Sequence, residues 1–191
     1  MLRPLLLAVV TSALAAQPSR IPVVIETSLG LIEAELDSAH APMSVANFLR
    51  YVDAGAYTLG RSHRTVRADN QPNNAVKIEV IQGGPAPEAA SRGLPPIALE
   101  RTSVTGLRHL DGTLSMARNG PEMATSDFFI CIGAQPELDF GGKRNADGHG
   151  FAAFGIVTKG MDIVRRIQAS AADAQRLMPP VLIARISRKA K

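Results

Sequence analysis

The sequence predicts a mainly β protein, a single antiparallel barrel or sandwich, and three observations carry that reading. Many short apolar or alternating runs of strand length recur along the chain, only two segments have helical periodicity, and no repeat, low-complexity tract or linker divides it. Its 191 residues suit one domain with a sizeable core, and a composition of 46% hydrophobic and 20% charged residues excludes a disordered chain.

The elements follow in order. Val23–Glu26 and Leu31–Glu35 flank the turn Ser28-Leu29-Gly30, and Leu31, Glu33 and Glu35 alternate with Ile32, Ala34 and Leu36 as in a half-buried strand. In APMSVANFLRYVDAGAY, Val45, Phe48, Leu49 and Val52 fall on one face of a helix, with Pro42 in its first turn and Gly55 at its end. Further strands are expected at His63–Val66, Val76–Gln82, Gly112–Arg118, Phe128–Ile132 and Ala152–Val157. GMDIVRRIQAS reads as a second amphipathic helix, with Met161, Val164 and Ile167 on one side, and Val181–Ile186 as a closing strand. Closure into a barrel would remove the exposed edges that so many strands otherwise present.

The first residues, MLRPLLLAVVTSALAAQ, differ from the rest. Arg3 precedes an apolar run, Leu5–Val10, and Ala13-Leu14-Ala15 is a small-x-small cleavage site. This is the pattern of a secretory signal over residues 1–15, too short to span a membrane, and it implies a periplasmic or secreted protein. Loss of Arg3 lowers the formal charge of +4 by one, too small an excess to argue for nucleic acid. Residues 188–191 read as a basic tail after a domain spanning 21–187. Cys131 is alone, so no intramolecular disulfide forms, and its apolar run marks it as a packed residue. His40, His63, His109 and His149 lack metal-ligand spacing, and neither a metal nor a cofactor is expected. Hydrolase, Walker and C-x-x-C signatures are absent.

More informative is an ordered succession: HR at 63–64, IQGG at 81–84, GTLSMAR at 112–118, SDFFICIG at 126–133, ELD at 137–139 and FAAFGIVTKGMDIV at 151–164. With the opening TSLGLIEAELDSAHAPMSVANF, it resembles the cyclophilin family of peptidyl-prolyl isomerases, as a divergent, exported, bacterial-like member. The resemblance implies a closed eight-stranded antiparallel β-barrel capped by two α-helices. It also implies X-Pro isomerisation, with proline-containing peptides and unfolded exported proteins as partners and a monomeric state.

By the same resemblance Arg64 is the catalytic arginine, and Gln82 binds the substrate backbone and holds it. Phe129 is the floor of the proline pocket and Leu138 a wall. Ala117, Arg118, Phe151, Val80 and Glu79 complete the peptide-binding set. The strand period in DFFICI sends Phe128 and Ile130 one way, Phe129 and Cys131 the other. One phenylalanine therefore enters the core while the other faces the groove.

The chain also departs from the family pattern. A longer connection follows the arginine strand, and Glu79-Val80 stands where the family has a Phe-Met pair. Either the Glu79 carboxylate enters the proline pocket and competes for Arg64, or the longer loop turns it away. A non-catalytic proline-peptide-binding module, favoured by Glu79 and by the inserted loop, is the alternative reading. Arg118 replaces an asparagine, Asp127 a glutamine, Phe151 a histidine or tyrosine and Glu137 a tryptophan, while GGKRNADGHG lengthens a loop beside the groove. Cyclosporin, the family's typical groove ligand, packs on that tryptophan, so weak binding is expected here.

Overall fold

A computed structural model describes residues 19–90 and 93–189; the expected signal segment lies outside them. Strands β1 (Arg20–Thr27) and β2 (Gly30–Asp37) form the first hairpin, followed by helix α1 (Pro42–Asp53). Then come β3 (Gly60–Val66), β4 (Val80–Gly84), the short helices α2 (Pro87–Ala90) and α3 (Thr102–Thr105), β5 (Thr113–Met116) and β6 (Phe128–Cys131). The chain ends with β7 (Ala152–Lys159), α4 (Met161–Gln168), β8 (Ala172–Asp173) and β9 (Arg176–Arg188). The strands run in the order β1-β2-β7-β5-β6-β4-β3-β9, and β9 pairs back onto β1, closing an eight-stranded antiparallel barrel. Two-residue β8 is an addition at the start of β9. The expected barrel and its two capping helices are present, with two single-turn helices besides.

The hairpin shows how local chemistry fixes the register. Gly30 has φ 139°, a conformation that only glycine adopts readily, and a Cβ there would also press on the Ile163 Cδ1 of α4 at 2.6 Å. The Thr27 hydroxyl donates to the Gly30 carbonyl at 2.7 Å and accepts from Leu29 N at 3.2 Å. From there, period two buries Ile32, Ala34 and Leu36 and turns Leu31, Glu33 and Glu35 outward, as the alternation predicts.

Helix α1 starts at Pro42 but has no local side-chain cap. Its free N–H groups are met from far along the chain: both carboxylate oxygens of buried Glu100 accept, from Met43 N at 2.9 Å and Ser44 N at 2.7 Å. A carboxylate at this end also meets the positive pole of the helix. Glu100→Ala is expected to lower unfolding free energy by about 1–2 kcal/mol, since it strands two donors. Chemical denaturation would measure this, and an unchanged midpoint would refute the capping role.

The predicted face of α1 is buried. Phe48 packs at 5.2 Å from the rings of both Tyr57 and Phe154 and at 5.4 Å from Phe128, filling one end of the barrel with aromatic edges and faces. Helix α4 closes the other end with Ile163, Val164 and Ile167. A second, smaller apolar cluster lies on the outer wall: Val66, Ile78, Val80, Phe129, Cys131 and Leu138, with Ala117 and Phe151 against it. The alternation along β6 divides as expected. Phe128 and Ile130 join the interior, Phe129 and Cys131 the outer cluster.

Two expectations require correction. The strand expected over Val76–Gln82 begins only at Val80. Ahead of it, the side chain of buried Gln71 takes the place of a ladder partner, donating to the Ile78 and Arg67 carbonyls and accepting from Ile78 N. At the other end, the basic tail is not detached from Arg188 onward. Strand β9 includes Arg188, which pairs with Asp53 at 2.7 Å, and Lys189 meets Glu33 at 2.6 Å.

Candidate active site

The outer apolar cluster is the floor of a groove of about 400 Å³. Strand pairing brings its polar wall together, because Arg64 of β3 lies directly opposite Gln82 of β4. Arg64 Nη1 donates to Gln82 Oε1 at 3.0 Å, and Gln82 Nε2 in turn donates to Asp127 Oδ2 at 3.1 Å. His63 Nε2 stands 3.5 Å from the same carboxylate oxygen.

The opposite edge of the guanidinium is held by Gln175, in the turn between β8 and β9. Arg64 Nε and Nη2 both donate to Gln175 Oε1, at 2.9 and 2.6 Å, and Gln175 Nε2 donates onward to the Asn70 carbonyl at 3.1 Å. Three of the five guanidinium donors are thus engaged by two neutral amide oxygens, which leaves two for a ligand. Burial lowers the Arg64 pKa from its ordinary value, yet an arginine remains a cation throughout the working pH range. Its charge is fixed in direction and, among the described residues, not cancelled by a contacting carboxylate.

Beneath this wall lies Phe129, 5% exposed. Its ring stacks on buried His109 at 5.9 Å and meets Phe151 edge-on at 5.3 Å. His109 is itself held at both ring nitrogens, by Asp139 Oδ1 at 2.7 Å and Ser115 Oγ at 3.0 Å. Burial pushes the Asp139 carboxyl upward, but the His109 hydrogen bonds and the Arg108 charge outweigh it and hold it below the usual carboxylate range. The aromatic floor therefore rests on a satisfied polar network and not on a compressible gap. Cys131, beside it, has its thiol pushed well above the ordinary value by burial and is a packing residue, not a nucleophile.

Of the residues singled out in the sequence, Arg64, Gln82, Phe129, Leu138, Ala117, Arg118, Phe151 and Val80 all line this groove. Glu79 does not. Ile78 and Val80 present their side chains to the groove, so strand alternation sends Glu79 the other way, where its carboxylate accepts from Gln168 Nε2 of α4 at 2.9 Å. The feared competition with Arg64 is absent, and Ile78 supplies apolar surface that the sequence did not advertise.

Arg118 lines the groove but is not free in it. Its side chain is 1% exposed, 5.0 Å from the Phe151 ring centroid, with Nε on the Gly150 carbonyl and both terminal nitrogens on Asp147 at 2.7 and 2.9 Å. The two Arg118 hydrogen bonds, with a third from His149 N, hold the Asp147 carboxyl far below its usual range. The loop returns at Gly150, φ 66°, where a Cβ would stand 2.5 Å from Asp139 backbone. Glu137 turns from the groove to brace the same loop, its carboxylate accepting from Lys143 N at 2.7 Å and its carbonyl from Arg144 N at 3.2 Å.

Sequence reasoning missed Gln175, Ile78 and Arg144 as site residues. Arg144 reaches from the lengthened loop to the other long connection, with Nη1 donating to Gln71 Oε1 at 2.9 Å and to the Val76 carbonyl at 2.7 Å. The signal was present only as two unusually long loops; nothing in either spacing told that they meet.

Fold and groove together define a closed barrel whose outer wall carries the ligand site. Residues 22–188 match the family described as cyclophilin type peptidyl-prolyl cis-trans isomerase/CLD. A peptidyl-prolyl cis-trans isomerase A of Dickeya dadantii is 37% identical over 147 residues, covering 76% of this chain and 70% of that one. The peptidyl-prolyl cis-trans isomerase cyp18 of Streptomyces antibioticus is 36% identical over 146 residues, covering 75% and 81%. Among solved structures, a cyclophilin type isomerase of Cryptosporidium parvum shares the fold at a TM-score of 0.72 and 22% identity, over 90% of this chain and 99% of that one. The same parasite protein has been crystallised in the presence of the dipeptide Ala-Pro. The chain belongs to the cyclophilin family and is a peptidyl-prolyl cis-trans isomerase.

Proposed function

We propose that the groove binds proline-containing segments of unfolded exported proteins and that Arg64 catalyses rotation about the X-Pro bond. Amide resonance sets a barrier of about 18–20 kcal/mol, and the uncatalysed exchange takes roughly tens to hundreds of seconds. As the amide twists, the proline nitrogen loses conjugation and its lone pair becomes a hydrogen-bond acceptor. A donor aimed there binds the twisted state better than either planar one, and no covalent step is needed. The observation that carries this reading is the Arg64 fork, held on Gln82 and Gln175 beside the Phe129 floor with two donors to spare. With Glu79 turned to Gln168, one of the two features that favoured a non-catalytic binding module is gone. Exchange NMR on a short X-Pro peptide tests the activity; cis and trans lines exchanging no faster with the protein than without it would defeat the proposal.

The protein acts outside the cytoplasm, as a monomer, after loss of its first residues. Arg3, the apolar run and Ala13-x-Ala15 support this placement. N-terminal sequencing of exported protein should find a start near Ala16 or Gln17, and an intact Met1 would count against it. Cyclosporin binds weakly, because Glu137 offers neither an indole donor nor an apolar face and is committed to Lys143 N. Titration calorimetry showing tight binding would contradict this.

A further inference from the structure

The charged side chains lining the groove are Arg64, Arg118, Asp127 and Arg144. Two of these are spoken for. Arg118 is neutralised by Asp147 in a two-pronged ion pair, and Asp127 accepts from Gln82 Nε2 with His63 nearby. Arg64 and Arg144 are different: both contact neutral oxygens only, Arg64 those of Gln82 and Gln175, Arg144 those of Gln71 and Val76. Among the described residues neither has a carboxylate within ion-pair distance.

We infer that Arg144 is a specificity-determining residue that, beside Arg64, selects peptides with a carboxylate side chain adjacent to the proline. This rests on the isomerase reading of the groove and names the substrate class it prefers.

Arg144 is positioned and not floppy: buried Gln71, itself fixed by the Arg67 and Ile78 carbonyls, anchors its Nη1, so little rotamer entropy is left to lose on binding. It is also half-buried, and both burial and the neighbouring Arg64 charge lower its pKa, so the two guanidinium groups sense one another across a partly desolvated space. A carboxylate entering that space relieves the repulsion and gains charge-assisted hydrogen bonds, whereas a lysine side chain adds a third cation. Finally, the carboxylate that lines the groove, Asp127, is engaged by Gln82 Nε2 and forms no ion pair with Arg144.

The test uses otherwise identical short peptides carrying Glu or Gln directly before or directly after proline. Exchange NMR would give kcat/KM for each with the full protein, at low and high salt. At one of the two positions Glu should exceed Gln by roughly tenfold, the scale of one hydrogen bond to a charged group, and the gap should shrink as salt screens it. In Arg144→Gln, which stays polar but loses the charge, the Glu-to-Gln ratio should fall to about one. A ratio measured within each protein cancels any general loosening of the loop. A wild-type ratio near one at both positions would overturn the inference, as would a preference that survives Arg144→Gln. Failure of the isomerase reading looks different: no peptide of the set would exchange faster with protein present. In that event the same Glu and Gln peptides, titrated for binding to both proteins, decide the charge preference alone.

Discussion

Arg64→Ala is expected to lower kcat/KM for X-Pro exchange by about 100- to 1000-fold, the cost of removing one preorganised donor from a developing charge, with peptide binding weakened far less. The asymmetry follows from the chemistry. In either planar state the proline nitrogen is a poor acceptor, so the guanidinium has little to bond there; in the twisted state it gains a partner. An interaction made mainly in the transition state lowers kcat and kcat/KM together when removed. Arg64→Lys should not rescue the loss. Gln82 Oε1 and Gln175 Oε1 grip opposite edges of a planar fork, and an ammonium offers neither that shape nor two bonds to one oxygen. Line-shape or exchange NMR on one peptide, with binding titrated separately, measures both quantities. Equal turnover in Arg64→Ala and the natural protein would remove the electrostatic mechanism.

The parts of this structure that could be read in advance are those governed by short-range periodicity. β2 alternates so regularly that its buried face is fixed by sequence, α1 carries its apolar residues at helical spacing, and β6 splits its adjacent phenylalanines by period two alone. Long-range closure was less legible. Gln175 reaches Arg64 across 111 positions from a turn beside a two-residue strand, too short to leave a periodic mark. The capping carboxylate of α1 lies 56 and 57 positions from the amides it serves. Arg144 meets Gln71 across 73 positions, loop to loop, where no periodicity applies. Glu79 shows a subtler limit. A strand's alternation assigns faces only once its phase is known, and the irregular loop before β4, organised by Gln71, sets that phase. The pattern IQGG identified the strand; it did not say which of Ile78, Glu79 and Val80 would face the groove.

The same two-faced strand allows core and site to be separated by experiment. Phe128 and Phe129 are neighbours in sequence and nearly equal in burial, at 3% and 5% exposure, so truncating either removes a similar apolar surface from contact. Phe128→Ala opens a cavity among Phe48, Tyr57 and the barrel lining, where T-shaped contacts at 5.4 and 5.8 Å are lost. It should cost about 3–5 kcal/mol of stability, a large part of what such a domain possesses, while the folded fraction keeps its affinity for proline peptides. Phe129→Ala is expected to cost less stability, because its cavity opens onto the groove, where solvent can enter and Phe151 can lean in. Its main effect falls on the ligand: the proline ring loses its floor, and exposed His109 offers a polar surface in exchange. Affinity should drop at least tenfold, about 1.4 kcal/mol, for an apolar ring deprived of most of its buried contact. Chemical denaturation and peptide titration on the two variants give a crossed result, stability lost chiefly in one and binding chiefly in the other. If both variants lost binding equally at full folding, the groove would not lie over Phe129, and the outer cluster would be only a second core.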